Sequence, residues 1–270
     1  MIEFLIIAVI GSVIAGLWDL KTTEVPDEVP ALMIVLGIFL WYMNAGMTGD
    51  FSNLLFSLLI GTILLTGGLI MYKSGQWGGA DAWILAAIGY LIPFYNGRLF
   101  MIDFIPNFLI VSVIYMVLYS IVVGVINRYV FGYFLDMIRE KWKIVFGIPV
   151  AYFVFLLFIT SMLASNGFYF NTTPLTLSAL LILLVMIFWA YAKSIEEYVF
   201  KKKIHVSRLK VGDVLEEMLW RGITKEELAA IKKKKRFVTI KEGVRFVPAF
   251  PITLIVTLLW GNLLFVFLGI

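Results

Sequence analysis

Long apolar runs separated by short polar clusters set the rhythm of this chain. Eight apolar segments can be drawn, over residues 2–18, 30–43, 51–71, 80–94, 108–126, 144–163, 175–191 and 250–268. Several approach or exceed the roughly 18–20 apolar residues that carry a helix across a bilayer. The second and fourth are short, so tilt or partial recession is expected of them. Turn formers lie between the segments: Val25-Pro26 and Val29-Pro30, residues 44–49 and 75–79, Tyr95-Asn96-Gly97, and residues 165–173. The pattern predicts a membrane all-α protein, a polytopic bundle of about eight transmembrane helices. Six is the natural alternative, because deleting a pair such as the sixth and seventh leaves every other assignment intact.

The pattern changes after Lys193. Thr224-Lys225-Glu226-Glu227 has the form of a capping box opening a helix through about Ile231. Residues 211–220 carry apolar positions at helical spacing and predict a second helix. Residues 237–240 and 244–247, joined by Lys241-Glu242-Gly243, predict a β-hairpin. The expected organisation is a transmembrane core over residues 1–200, a small α+β cytoplasmic domain over 201–247, and a final transmembrane helix over 248–270.

Composition agrees with the pattern. The chain is 61% hydrophobic and 15% charged, more apolar surface than one soluble core of this length can hide. It has no cysteine, which excludes disulfides, zinc ribbons and iron–sulfur clusters. The single histidine, His205, lies in the basic tail and reads as a surface imidazole, so no metal site is expected. A net charge of +4 raises nucleic acid as a partner, but the lysines cluster beside membrane spans, and topology explains them better. With the first segment running inward, 21 of the 22 basic residues face the cytoplasm and Arg98 alone faces out. The positive-inside rule favours that phase. The first segment lacks a basic start and a small-residue cleavage site, and is read as a retained span. The run 232–236 is expected to meet anionic headgroups. Trp18, Trp41, Trp77 and Trp83 fall near membrane boundaries, as an aromatic belt would place them. Gly61, Gly67 and Gly68 are expected to let helices pack closely.

Two carboxylates stand out in this setting. Asp19 closes the first span and Asp81 opens the fourth, both at the predicted cytoplasmic ends. A carboxylate at a membrane edge is expensive to desolvate and marks a functional site by default. On a helix, Ser12, Ala15, Gly16 and Asp19 share one face of small residues, along which another helix or an extended peptide can approach. Gly78 and Gly79 before Asp81 permit unusual backbone angles and close approach of a peptide, and Ala80 adds little bulk. Asp81 would lie in the first turn of its helix and Asp19 in the last turn of its own, at opposite ends of the helix dipole. Two carboxylates in unlike environments, sharing one water, make an acid/base pair. Such a pair needs neither metal nor other cofactor.

Asp19, followed by five residues and then Val25-Pro26, resembles the first motif of type IV prepilin-like peptidases. Gly78-Gly79-Ala80-Asp81 resembles the second motif of the GxGD intramembrane aspartyl proteases. Ala80 replaces the glycine that directly precedes the aspartate there, a departure that points toward the archaeal preflagellin (archaellin) peptidase branch. Residues 243–250 resemble the closing segment of the archaeal enzymes. The resemblance covers the first 95 residues well and the last 60 loosely. It implies removal of a short basic leader from prearchaellin or prepilin-like precursors at the cytoplasmic face, with Asp19 and Asp81 as the catalytic pair and Gly78 in the second motif. N-methylation of the new terminus is not implied for this branch.

Glu24, Asp27 and Glu28 follow Asp19 in the first cytoplasmic loop. They are solvated acidic residues or partners for a basic leader. Asp103 and Asp136 are read as interfacial. Two readings from other classes stay open on the residues alone: an ion or proton-coupled transporter using the two aspartates, and a membrane scaffold that holds partners through its cytoplasmic domain.

Overall fold

A computed structural model describes residues 1–165, 173–216 and 222–268 of the chain. It divides into two units, one formed by residues 1–118 and 203–270 and the other by residues 119–202. Among the described residues, six helical stretches are long and apolar enough to cross a membrane: Ile2–Thr22, Glu28–Thr48, Ser52–Lys73, Phe100–Ile126, Trp142–Ser165 and Thr173–Phe200. The polytopic all-α expectation holds, and six of the eight segments reach spanning length.

The first unit contains α1 (Ile2–Thr22), α2 (Glu28–Thr48), α3 (Ser52–Lys73) and α4 (Gly79–Leu91). The second segment was expected to be short, yet α2 has 21 residues. Pro30 sits in its first turn, where a missing N–H costs nothing. The helix then runs through Asn44 to Gly49, whose φ of 73° supplies the left-handed stop. The fourth segment is short as expected. At 13 residues, α4 is about 20 Å long, against a hydrocarbon core of about 30 Å.

α4 tolerates its length because α1, α2 and α3 all pack against it, and every residue from Ile84 to Leu91 is buried. Its last carbonyls cannot find water there. Ser57 of α3 donates to the Tyr90 carbonyl at 2.5 Å, and the Trp41 indole of α2 donates to the Leu91 carbonyl at 3.2 Å. These contacts satisfy groups that a helix end otherwise leaves orphaned. Trp41 is therefore a core residue stacked on Phe4, not a belt residue. The glycines of α3 divide two to one. A side chain at Gly61 would run into the Tyr90 ring, and one at Gly68 would lie 2.8 Å from Ala82, whereas Gly67 faces open space.

After the turn β1 (Phe94–Tyr95) to β2 (Arg98–Leu99), α5 (Phe100–Ile126) runs on into the second unit. That unit continues with α6 (Val130–Glu140), α7 (Trp142–Val145), α8 (Gly147–Ser165) and α9 (Thr173–Ile195), followed by a π-helical turn at Glu196–Phe200. Its core gathers Val123, Val130 and Ile195. Most of the break expected over 165–173 lies outside the described residues.

The polar tail is smaller in secondary structure than its sequence predicts. β3 (Lys201–His205) pairs with β4 (Phe237–Lys241), and α10 (Lys225–Lys234) opens on the expected capping box, with Thr224 and Glu227 bonded reciprocally. The helix expected over 211–220 is absent from 211–216; the remainder lies outside the described residues. Gly212 turns with φ 98°, and Leu215 then bridges to Ile240, flanked by Glu216 N–H on the Thr239 carbonyl and Lys241 N–H on the Val214 carbonyl. Pairing with β4 buries Leu215 beside Val206 and Val238, and so overrides helical spacing. The expected hairpin fails as well, because 244–247 leaves the sheet instead of pairing with β4.

The last segment, expected to be continuous over 250–268, is interrupted. α11 (Ala249–Trp260) stops at Gly261, whose φ is 67°, before α12 (Leu263–Leu268). Asn107 of α5 holds the break. Its Nδ2 donates to the Gly261 carbonyl at 2.6 Å and to Thr257 Oγ1 at 3.0 Å, and its Oδ1 accepts from Leu263 N–H at 2.8 Å.

Replacing Gly68 by Val is expected to destabilise the protein by about 1–3 kcal/mol through overpacking. Gly67→Val should stay within about 0.5 kcal/mol. Thermal unfolding in detergent compares the two.

Candidate active site

The small face of α1 is buried: Ser12, Ala15, Gly16 and Asp19 all lie out of solvent contact or nearly so. The occupant of that face is the chain's own closing segment. A Cβ on Gly16 would lie 3.2 Å from Pro248 Cα, so glycine sets how closely residues 247–248 approach. One turn later, Asp19 is only 4% exposed, and its Oδ2 accepts the Val247 N–H at 3.1 Å. The residues expected to form a hairpin strand instead deliver an amide to a buried carboxylate. α1 ends just beyond, where Thr23 adopts φ 62° and donates to the Asp19 carbonyl at 2.8 Å.

Asp81 occupies the first turn of α4 and is 5% exposed. Its Oδ2 accepts the Gly78 N–H at 2.8 Å, closing the helix start on itself. Its Oδ1 is buried with no hydrogen-bond partner among the described residues. Gly78 is in ordinary extended geometry, φ −74° and ψ 157°, so the need for glycine there is space: a Cβ would stand 3.1 Å from the Asp81 Oδ2. Gly79 is less constrained, since its Cβ would meet the Tyr72 ring at an ordinary 3.7 Å. Ala80 packs against the main core.

α1 and α4 are in contact, with Asp19 in the last turn of one and Asp81 in the first turn of the other. The two aspartates singled out in the sequence thus sit on two helices that touch, each with one oxygen fixed by a backbone amide. An aromatic cluster joins the segments that carry those amides. Trp77, adjacent to Gly78, lies 5.9 Å from Phe108 and 6.5 Å from Phe246, which is adjacent to Val247. Phe108 stacks on Phe250 at 4.7 Å. Trp77 is therefore packed within this cluster, while Trp18 and Trp83 stay exposed, as a belt requires. Glu24 and Asp27, on the loop after α1, and Glu28, the first residue of α2, are all exposed. The sequence reading missed Val247, Phe246, Arg245 and Tyr115 as neighbours of the site. The signal was present in the resemblance of residues 243–250 to a closing segment, but strand-like alternation concealed it.

Residues 6–127 match the type IV leader peptidase family. The preflagellin peptidase of Methanocaldococcus jannaschii is 29% identical over 133 residues, covering 47% of this chain and 56% of that protein. The preflagellin peptidase of Methanococcus maripaludis is 29% identical over 115 residues, 40% of this chain and 49% of the relative. That of Methanococcus voltae is 34% identical over 89 residues, 33% and 38% respectively. The chain thus spans about half the length of the curated relatives it matches. No solved structure matches it significantly. The resemblance to preflagellin and type IV leader peptidases holds over the part of the chain that carries both aspartates, and the comparisons give the transporter alternative no support.

The absence of native cysteine permits a direct check on the seating of the closing segment. A Cβ at Gly16 would lie 3.7 Å from the Pro248 Cβ, within the range a disulfide bridges. Gly16→Cys with Pro248→Cys should cross-link on mild oxidation, and Gly67→Cys with Pro248→Cys should not, as read on a non-reducing gel after cleavage between the two positions.

Proposed function

We propose that this relative of the type IV leader peptidases is an intramembrane aspartyl endopeptidase, with Asp19 and Asp81 as its catalytic pair. The observation that carries the reading is two buried carboxylates on the touching helices α1 and α4, one of which, Asp81, keeps an oxygen with no hydrogen-bond partner among the described residues. A water held between them attacks the carbonyl carbon of the scissile peptide while one carboxylate takes its proton. The other, protonated, gives its proton to the carbonyl oxygen. The tetrahedral diol then collapses, the C–N bond breaks, and the departing amine takes up a proton. The pair shares one proton throughout and titrates as a unit.

The substrates are prearchaellin or prepilin-like precursors, and the bond cut follows a short basic leader. Cleavage takes place at the cytoplasmic face, which holds 21 of the 22 basic residues in the favoured phase. Residues 201–247 lie at that same face, with the run 232–236 against the headgroups of the bilayer. Exposed Glu24, Asp27 and Glu28 attract the leader's Lys and Arg side chains.

Asp19→Asn and Asp81→Asn are each expected to lower leader cleavage by at least about 10²–10⁴-fold while the protein still accumulates in the membrane. Full activity in either variant rejects the pair. Neutralising Glu24, Asp27 and Glu28 together should raise KM several-fold at low salt and much less at high salt, with kcat unchanged; equal KM values at both ionic strengths would remove the leader contact.

A further inference from the structure

A groove in the second unit has no part in the peptidase mechanism. Gly124 and Val125 of α5, Arg128 of the turn after it, Phe131 of α6 and Tyr191 of α9 line a cavity of about 360 Å³. That volume falls at the low end of ligand sites, roughly 300–1,000 Å³. Its shape follows from one missing side chain. The Tyr191 hydroxyl lies where a Cβ on Gly124 would stand, and from there it donates to the Ser120 carbonyl at 3.3 Å. Phe134 of α6 meets the same Tyr191 ring edge-on at 5.5 Å, and α6 packs on α9. The groove is continuous with the outer face of a spanning helix, since Val122, Val125 and Ile126 are all exposed. An exposed apolar face of a spanning helix meets acyl chains.

Apart from the Tyr191 hydroxyl, Arg128 is the one polar side chain among those lining residues. It stands just past Ile126, the last residue of the span, at the end that faces the cytoplasm in the favoured phase. Nearby acids are already engaged: Asp136 by Arg139 at 3.5 Å, Glu196 by Lys193 at 3.0 Å and Glu197 by Lys201 at 2.9 Å. The exposed Arg128 guanidinium forms no ion pair with a described residue. An apolar trough beside an unneutralised guanidinium complements a molecule with an acyl chain and a phosphate. We propose that this groove binds one anionic phospholipid, with its phosphate on Arg128 and an acyl chain along Val125 and Phe131. α6, with 11 residues, is too short to span and lies in the headgroup layer, with Phe131 and Leu135 reaching toward the chains. The site shares no residue with the aspartate pair, and Arg128, Phe131 and Tyr191 fall outside the matched residues 6–127.

Native mass spectrometry of the full-length protein in neutral detergent counts bound lipid during titration with phosphatidylglycerol or phosphatidylcholine. The protein is expected to retain one phosphatidylglycerol, bound at least about fivefold more tightly than phosphatidylcholine. Arg128→Gln should erase that preference. Val125→Trp, which fills the groove and keeps the guanidinium, should weaken both lipids. Both positions are exposed, so both variants should fold. Lys143→Gln removes an exposed cation outside the groove and should leave the affinity within about twofold. An undiminished preference in Arg128→Gln overturns the proposal, and so does native affinity in Val125→Trp. Equal losses in Lys143→Gln and Arg128→Gln would also overturn it, by reducing the binding to diffuse charge attraction. Displacement of the lipid by an equal concentration of inorganic phosphate would overturn it as well, by assigning the site to the free ion.

Discussion

A buried carboxylate at a membrane edge must be held by donors, and in this protein the Val247 amide holds Asp19. That bond depends on the absence of side chains along one face of α1. Ser12, Ala15 and Gly16 leave a channel shallow enough for Pro248 to rest on the helix backbone, and the amide that precedes Pro248 reaches the acid. A larger residue at position 16 would lift the segment and withdraw the donor. Two segments 228 residues apart in sequence thus meet at one carboxylate.

The other half of the site is built differently. Asp81 is fixed locally by the Gly78 amide, and its position comes from enclosure of α4 by three long helices. The same enclosure explains why α4 can be too short to span, why α3 carries glycine where Tyr90 and Ala82 press on it, and why Ser57 and Trp41 supply hydrogen bonds to its end. One aspartate is anchored by long-range closure of the chain and the other by a central, fully packed helix. The aromatic group of Trp77, Phe108, Phe246 and Phe250 ties the two anchors together.

Much of this was legible in the sequence because membrane spans and carboxylates are strong local signals. The apolar runs located the helices, and the small-residue spacing leading to Asp19 marked a contact face correctly. The errors fell where tertiary partners outvote local pattern. Residues 211–216 have helical spacing but pair with β4, because Leu215 gains burial there. Residues 244–247 alternate like a strand but are drawn away to Asp19. Trp41 and Trp77 sit at run boundaries, as belt residues do, yet each has a partner inside: the Leu91 carbonyl for one and the Phe108 and Phe246 rings for the other. Gly78 was expected to serve both backbone freedom and close approach; its backbone angles are ordinary, and the space it leaves is taken by the Asp81 carboxylate. Nothing in the sequence announces the break at Gly261, because its cause, Asn107, lies 154 residues away.

The central claim is that Asp19 and Asp81 face one another on the same side of the membrane. Single Asp19→Cys and Asp81→Cys variants in this cysteine-free chain, treated with a membrane-impermeant thiol reagent from each side in turn, test it most directly. A short bifunctional reagent applied to the double variant completes the measurement. The account predicts that both positions react from the cytoplasmic side and that the bifunctional reagent joins them. Reaction of the two positions from opposite sides would contradict it.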